Sequence, residues 1–252
     1  MSDPWNLTPN EWSKVLGTDA DVLKVADPLK KGNYLPWNQV IRDYVQDSKT
    51  TLDLGSGRGE NSAMLALRGK HTTLFDWSKD NLSFSKRLYD ALDVAGTFIQ
   101  GDITKPLPFE DGSVDTVFSC GVLEYFTDDQ IKVILKEMFR VAKKRVIILV
   151  PNAYSVCYRL GMWYMKKKGT WHWGGERAFK TLKHCFGVVE NIKVTEFSVG
   201  TKHSLDFLDT LPAGGFMHKT IRKLFNLQDH PRPSAFNQGY ILITIGEKNE
   251  TK

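Results

Sequence analysis

Cysteine is scarce in this chain: Cys120, Cys157 and Cys185 are the three present among 252 residues. An odd count at wide spacings offers neither a disulfide framework nor a cysteine-built zinc site, and it suits a reducing, cytoplasmic setting. Long apolar runs are missing as well. Unbroken apolar stretches reach only five residues, as at Val146–Val150, against roughly 20 for a membrane-spanning helix. The opening segment, MSDPWNLTPNEW, has no basic flank followed by an apolar run, so no signal peptide is expected. Internal repeats and low-complexity linkers are absent. What is present is an ordinary globular mixture, with 41% apolar and 25% charged residues, which argues against extended disorder or a fibrous repeat. A chain of this length buries roughly 70–75% of its unfolded surface, enough for a core without staples.

The formal net charge of +5 conceals two unlike halves. Residues 1–130 hold 13 Lys and Arg against 20 Asp and Glu, a balance of −7, whereas residues 131–252 hold 21 against 9, a balance of +12. A basic C-terminal half attracts anionic partners such as a phosphate-bearing metabolite, nucleic acid or lipid headgroups. The plainer alternative is a solvated surface.

Strand-length apolar segments alternate with helix-period segments over the first two thirds. Thr50–Leu54, Thr72–Phe75, Thr97–Gln100, Val114–Ser119 and Arg145–Val150 read as strands, several nearly continuous in apolar residues, as a parallel sheet covered on both faces requires. Between them Glu60–Arg68, Leu82–Leu92 and Asp128–Ala142 read as helices, the last capped by Thr127. The expected fold is α/β, a doubly wound and mostly parallel sheet. Residues 1–45 read as a helical cap, with Trp5, Trp12, Tyr34 and Trp37 available to pack over a site. The pattern breaks at residues 153–176; Glu176–Phe186 then reads as a helix, Lys193–Phe197 as a strand and Tyr240–Gly246 as a closing strand. That closing strand returns the C-terminal part to the sheet, so residues 1–252 read as one domain.

The segment Leu52-Asp53-Leu54-Gly55-Ser56-Gly57-Arg58-Gly59-Glu60 follows a strand and opens a helix. Alternate glycines let the backbone turn sharply and let a ligand lie against bare main chain. The free N–H groups there suit an anionic group. Asp76 ends the second strand, where a doubly wound sheet places a carboxylate over ribose hydroxyls. Asp102 and Ile103 follow the third strand, the acid placed to accept from an adenine amino group and the isoleucine to pack on the ring. Cys120 ends the fourth strand and opens the crevice at the switch point. Each has a structural alternative: a ligand-free turn, a helix cap at Asp76, a turn start at Asp102, and a small buried hydrophobe at Cys120.

At these residues the chain resembles the class I S-adenosylmethionine-dependent methyltransferases, in particular their small-molecule subgroup, closely over residues 48–152 and loosely elsewhere. The resemblance implies a sheet of about seven strands with the last antiparallel, and S-adenosylmethionine as cofactor. It places Gly55, Ser56, Gly57 and Gly59 at the methionine part, Asp53 near its amino group, Asp76 at the ribose, Trp77 beside the adenine, and Asp102 and Ile103 at the adenine. Residues 46–152 would form the cofactor-binding core and 153–252 a substrate-side elaboration. Two departures stand out: Tyr125 occupies a position where the subgroup often has His, and Lys143-Lys144-Arg145 replaces the usual Pro-Gly-Gly turn, altering a surface turn.

The expected reaction is methyl transfer by in-line displacement to a small polar acceptor, such as a sugar or an anionic metabolite. The acceptor atom must sit about 3 Å from the methyl, with water excluded. His172, in TWHWGGER, is the best candidate base and Tyr125 a candidate substrate contact; the alternative for His172 is a loop whose aromatics pack on the core. The main rival is a nicotinamide-dependent reductase or epimerase, against which stands the spacing G-x-G-x-G in place of G-x-G-x-x-G. Nucleic-acid substrates have no strong case, and no metal-ligand spacing is apparent among His and Cys. The segment Phe216–Leu227 is a basic amphipathic helix, expected to pack on its own domain. Peripheral membrane contact and a lipid or quinone acceptor stay open.

Overall fold

Three short helices precede the sheet: α1 (Pro9–Leu16), α2 (Leu23–Lys30) and α3 (Pro36–Tyr44). Then follow β1 (Thr50–Leu54), α4 (Glu60–Ala66), β2 (His71–Asp76), α5 (Lys79–Leu92), β3 (Thr97–Gln100), β4 (Val114–Cys120), α6 (Asp128–Val141) and β5 (Ala142–Pro151). The remainder comprises α7 (Val156–Lys168), α8 (Lys183–Phe186), β6 (Ile192–Val199), α9 (Thr201–Asp206), α10 (Gly214–Phe225) and β7 (Ile241–Lys248). The computed structural model describes residues 8–18, 21–225 and 233–249. Trp5, Asn226 and Leu227, singled out from the sequence, lie outside the described residues.

The seven strands lie in the order β3-β2-β1-β4-β5-β7-β6. β1 to β5 pair in parallel, and β7 runs antiparallel between β5 and β6. The antiparallel last strand is as the family resemblance implies, and the return of the C-terminal part to the sheet is as the closing apolar strand predicts. Strand order reverses between β1 and β4, where a crevice opens beyond the strands' carboxyl ends.

Both sheet faces are covered, which explains the unbroken apolar strands. Val117 and Ile148 point into a cluster with Ile131, Leu135 and Met138 of α6, while Phe118 and Ile147 point into one with Met64, Phe84 and Leu88 of α4 and α5. α6 starts at a capping box: the Gln130 N–H donates to Thr127 Oγ1 at 3.4 Å and the Thr127 N–H to Gln130 Oε1 at 2.9 Å. Thr127→Ala is expected to cost about 1 kcal/mol in urea unfolding, with no change in the sheet.

Four regions differ from the sequence reading. Residues 153–176 contain a 13-residue helix, α7. Its Gly161 lies so close to Phe207 that a Cβ there would sit 2.6 Å from the Phe207 carbonyl oxygen, so packing requires a residue that weakens the helical signal. Conversely, the helix expected over 176–186 is confined to Lys183–Phe186. Phe179 is extended and bridged to Asn152, its N–H donating to the Pro151 carbonyl at 2.9 Å, because its ring and the Leu182 side chain are drawn into the same core cluster as Val146 and Ile148 of β5. No surface turn replaces the Pro-Gly-Gly: α6 passes straight into β5 at Ala142, and Lys144 and Arg145 bind Asp47 and the main chain beside it. On α10, Phe216, Met217 and Leu224 are exposed, Ile221 is half-buried and His218 is buried, so among the described residues Met217 and Leu224 of the apolar face do not pack on the domain.

Candidate active site

The glycine turn after β1 is made of backbone that L side chains avoid: Gly55, Gly57 and Gly59 have φ of 74°, 53° and 79°. The Gly55 N–H donates to the Phe75 carbonyl at 2.8 Å and the Gly57 N–H to Asp76 Oδ2 at 2.8 Å, so the turn is tied to the end of β2. Asp76 is 5% exposed. Its Oδ1 accepts from the Ser78 N–H at 2.9 Å and from Asn81 Nδ2 at 3.2 Å. Burial pushes this carboxyl above its ordinary value, and the donors on Ser78, Gly57 and Asn81 pull it back. Two donors on one oxygen and one on the other leave Oδ2 able to accept again.

These groups face a cavity of about 480 Å3, within the range of small-molecule sites. Of the residues read from the sequence, Gly55, Ser56, Gly57, Asp76, Trp77, Ile103, Cys120 and Tyr125 line it. Four do not. Gly59 sits behind the turn, where a Cβ would meet Leu74 at 2.6 Å. Asp53, 1% exposed, turns away to accept from Ser62 Oγ at 2.9 Å; burial, reinforced by the charges of Asp76 and Glu60, raises it to about 8 against the pull of that hydroxyl. Asp102 is occupied by Thr104, whose N–H and hydroxyl donate to its Oδ1 at 2.8 and 2.7 Å. His172 is exposed and away from the cavity. The Cys120 thiol is pushed up by burial and by the Glu124 charge, which leaves little thiolate for nucleophilic work.

Two acids escaped the sequence reading. Glu124, in the 3-10 turn Leu123–Tyr125, is 3% exposed, and its Oε2 has no hydrogen-bond partner. Glu176 is 6% exposed and accepts from Tyr158 Oη at 2.6 Å. Both line the cavity. Burial raises each; the Glu176 charge raises Glu124 further, while Tyr158, Lys166 and Tyr125 moderate Glu176. The signal was an acid inside an apolar run, GVLEYF, but only the fold brings it to Glu176. Arg177 makes that meeting: its N–H donates to the Glu124 carbonyl at 3.3 Å, and its guanidinium to the Phe126 carbonyl at 2.6 Å and to Asp128 at 2.7 Å. Aromatic side chains complete the wall. Trp12 meets Tyr125 edge-on at 4.9 Å, Trp37 meets Tyr240 at 5.8 Å, and the Tyr125 hydroxyl donates to the Trp173 carbonyl at 3.0 Å.

Two groups with metal-ligand chemistry, Asp128–His184–Cys185 and Asp206–Asp209–His218, lie outside this cavity. Their members bind one another, with His184 2.7 Å from Asp128 and His218 2.9 Å from Asp209. Among the described residues no helix is long and apolar enough to cross a membrane.

Residues 51–145 match the family described as a methyltransferase domain. Those residues therefore carry a methyltransferase domain. The chain is 26% identical over 155 residues to phosphoethanolamine N-methyltransferase 1 of Triticum aestivum, covering 61% of this chain and 30% of that protein. It is 32% identical over 118 residues to the putative methyltransferase YqeM of Bacillus subtilis, covering 46% and 47%. The matches thus span less than half the length of these relatives. The magnesium protoporphyrin IX methyltransferase of Synechocystis PCC 6803, solved with bound SAH, shares the fold at a TM-score of 0.58 and 16% identity, covering 95% of this chain and 93% of that one.

Proposed function

We propose that this chain transfers a methyl group from S-adenosylmethionine to a small polar acceptor, working as one unit with residues 1–45 as cap, 46–152 as donor-binding core and 153–252 as acceptor side. The observation that carries this reading is Asp76, held by three donors at the end of β2 and facing the same cavity as the Gly55–Gly57 turn. The residues fit such a donor. Gly101 packs directly on the Phe75 ring, where a Cβ would stand 2.2 Å from it, both residues line the cavity, and the buried Ser56 hydroxyl has no protein partner.

In this assignment Asp76 takes the ribose hydroxyls, Trp77 and Ile103 flank the adenine, and Gly55, Ser56 and Gly57 receive the methionine part. Cys120 contributes backbone, Asp53 and Gly59 brace the turn from behind, and Asp102 holds the loop at the adenine end. The bound donor supplies a methyl carbon already activated towards nucleophiles, so the chain needs no nucleophile of its own. Its tasks are to orient the acceptor, exclude water and take up a proton. Tyr125, Trp12, Trp173 and Tyr240 form the acceptor side, where a ring can stack. An anionic acceptor is the poorer match: among the described lining residues Arg58 is the one cation, and Glu60 holds it at 2.5 Å. Because His172 lies outside the cavity, proton uptake falls to the acids within it. A nicotinamide-dependent activity is not favoured, the relatives being methyltransferases.

Calorimetric titration with S-adenosylhomocysteine tests the reading. Asp76→Ala is expected to weaken binding by about 1–3 kcal/mol; unchanged affinity in a folded variant removes the ribose assignment.

A further inference from the structure

The acceptor end of the cavity is acidic and incompletely satisfied. Among the acids of the cavity, Asp76 has three donors, Glu60 has Arg58 and Glu176 has the Tyr158 hydroxyl at 2.6 Å with Tyr125 beside it, but Glu124 Oε2 has none. A buried carboxyl group lacking partners is costly, and an ionised one can only accept hydrogen bonds. Whatever relieves it must bring donors, and a cation relieves both acids at once. The aromatic lining points the same way, because ring faces attract cations. A hydroxyl would bring one donor and no charge.

We propose that Glu124 and Glu176 form a receptor for an amine, so that the acceptor enters as an ammonium group and is methylated on nitrogen. The proposal rests on the methyltransferase reading and specifies its acceptor class. One carboxylate takes a proton from the ammonium: an N–H bond breaks, an O–H bond forms, and the nitrogen keeps the lone pair. That pair forms the new N–C bond to the methyl as the S–C bond breaks with its electrons going to sulfur. The product leaves as a methylammonium ion, and the carboxyl proton passes to solvent. The groups around the two acids are Tyr125, Tyr158, Tyr240, Cys120 and Lys166. Burial raises the tyrosines and Cys120, which keeps them neutral, and Lys166 bears on Glu176 alone, so the carboxyls are the groups that give up protons when a cation binds.

The test uses the full chain saturated with S-adenosylhomocysteine and matched probes, 2-phenylethylamine against 2-phenylethanol and glucosamine against glucose. Titrations are run calorimetrically in two buffers of different ionisation enthalpy. In at least one pair the amine is expected to bind about tenfold tighter than the alcohol, with proton release that the alcohol does not cause. Glu124→Gln and Glu176→Gln should each abolish the preference and the proton release while keeping S-adenosylhomocysteine affinity, which also reports that they fold. Equal binding within both pairs overturns the proposal, as does a preference that survives in both variants. So does a loss of S-adenosylhomocysteine affinity in the variants, which would assign the acids to the donor. A wild-type chain that binds no S-adenosylhomocysteine overturns the methyltransferase reading itself; binding without amine preference overturns this proposal alone.

Discussion

Gly55→Val is expected to lose measurable S-adenosylhomocysteine binding and about 2–5 kcal/mol of stability. Two separate effects add. The backbone at φ 74° is strained for any residue with a Cβ, and more so for a branched one. The new Cβ would also lie 2.3 Å from Val122 Cγ2, and Val122 is itself buried between the turn and α6; overpacking of this kind costs about 1–3 kcal/mol. Gly69→Val separates the two. Its φ is 75°, but a Cβ there meets nothing within 4 Å. It should cost only the backbone strain, about 1–2 kcal/mol, and leave the cavity intact. Urea unfolding and calorimetry on the two variants check both parts; equal losses would show that close packing against Val122 is unimportant.

Asp53→Asn is expected to flatten the pH dependence of stability between about pH 4 and pH 8. In the folded chain the Asp53 carboxyl is raised to about 8, whereas an unfolded Asp titrates near 4. Below pH 4 both states hold the proton and the contribution is complete. As pH rises, the unfolded chain releases a proton that the folded chain retains, so stability falls until the folded carboxyl ionises as well. By linkage the loss is on the order of 3–5 kcal/mol across the window. Asparagine keeps an acceptor for Ser62 Oγ and removes the ionisation. A residual slope of the same sign should persist, because Asp76, Glu124 and Glu176 are also raised by burial. Asp47 works in the opposite sense and at lower pH: its hydrogen bond to Arg145 holds it at about 2, so its contribution disappears on acidification. Urea midpoints at pH 4.5, 6 and 8 compare the chains, and parallel curves would sink the assignment.

The strand pattern was readable because these strands are buried on both faces and leave unbroken apolar runs; β1 and β3 lie where the sequence puts them, to the residue. The glycine turn and Asp76 were readable because backbone geometry restricts the residues that can stand there. The wall opposite was not. Glu124 and Glu176 acquire their meaning from a fold contact between a 3-10 turn and a distant loop; the acid within GVLEYF hints at the first, but nothing local pairs it with GGER. Helix α7 was hidden by aromatics on several of its sides and by Gly161, and the helix expected from Glu176 gave way to extended chain because Phe179 and Leu182 are drawn into the core.

Arg177 has a consequence for binding. By joining the carbonyls of Glu124 and Phe126 to Asp128, with its guanidinium 4.2 Å over the Phe179 ring, it fastens the stretch carrying one acid to the stretch carrying the other. The backbone segments that carry the two acids are therefore fastened to each other in the fold itself, before any guest arrives. Preorganisation of that kind would spare the proposed amine a reorganisation penalty, so a charge swap at Arg177 that loosens this link is expected to weaken amine binding even with both acids intact.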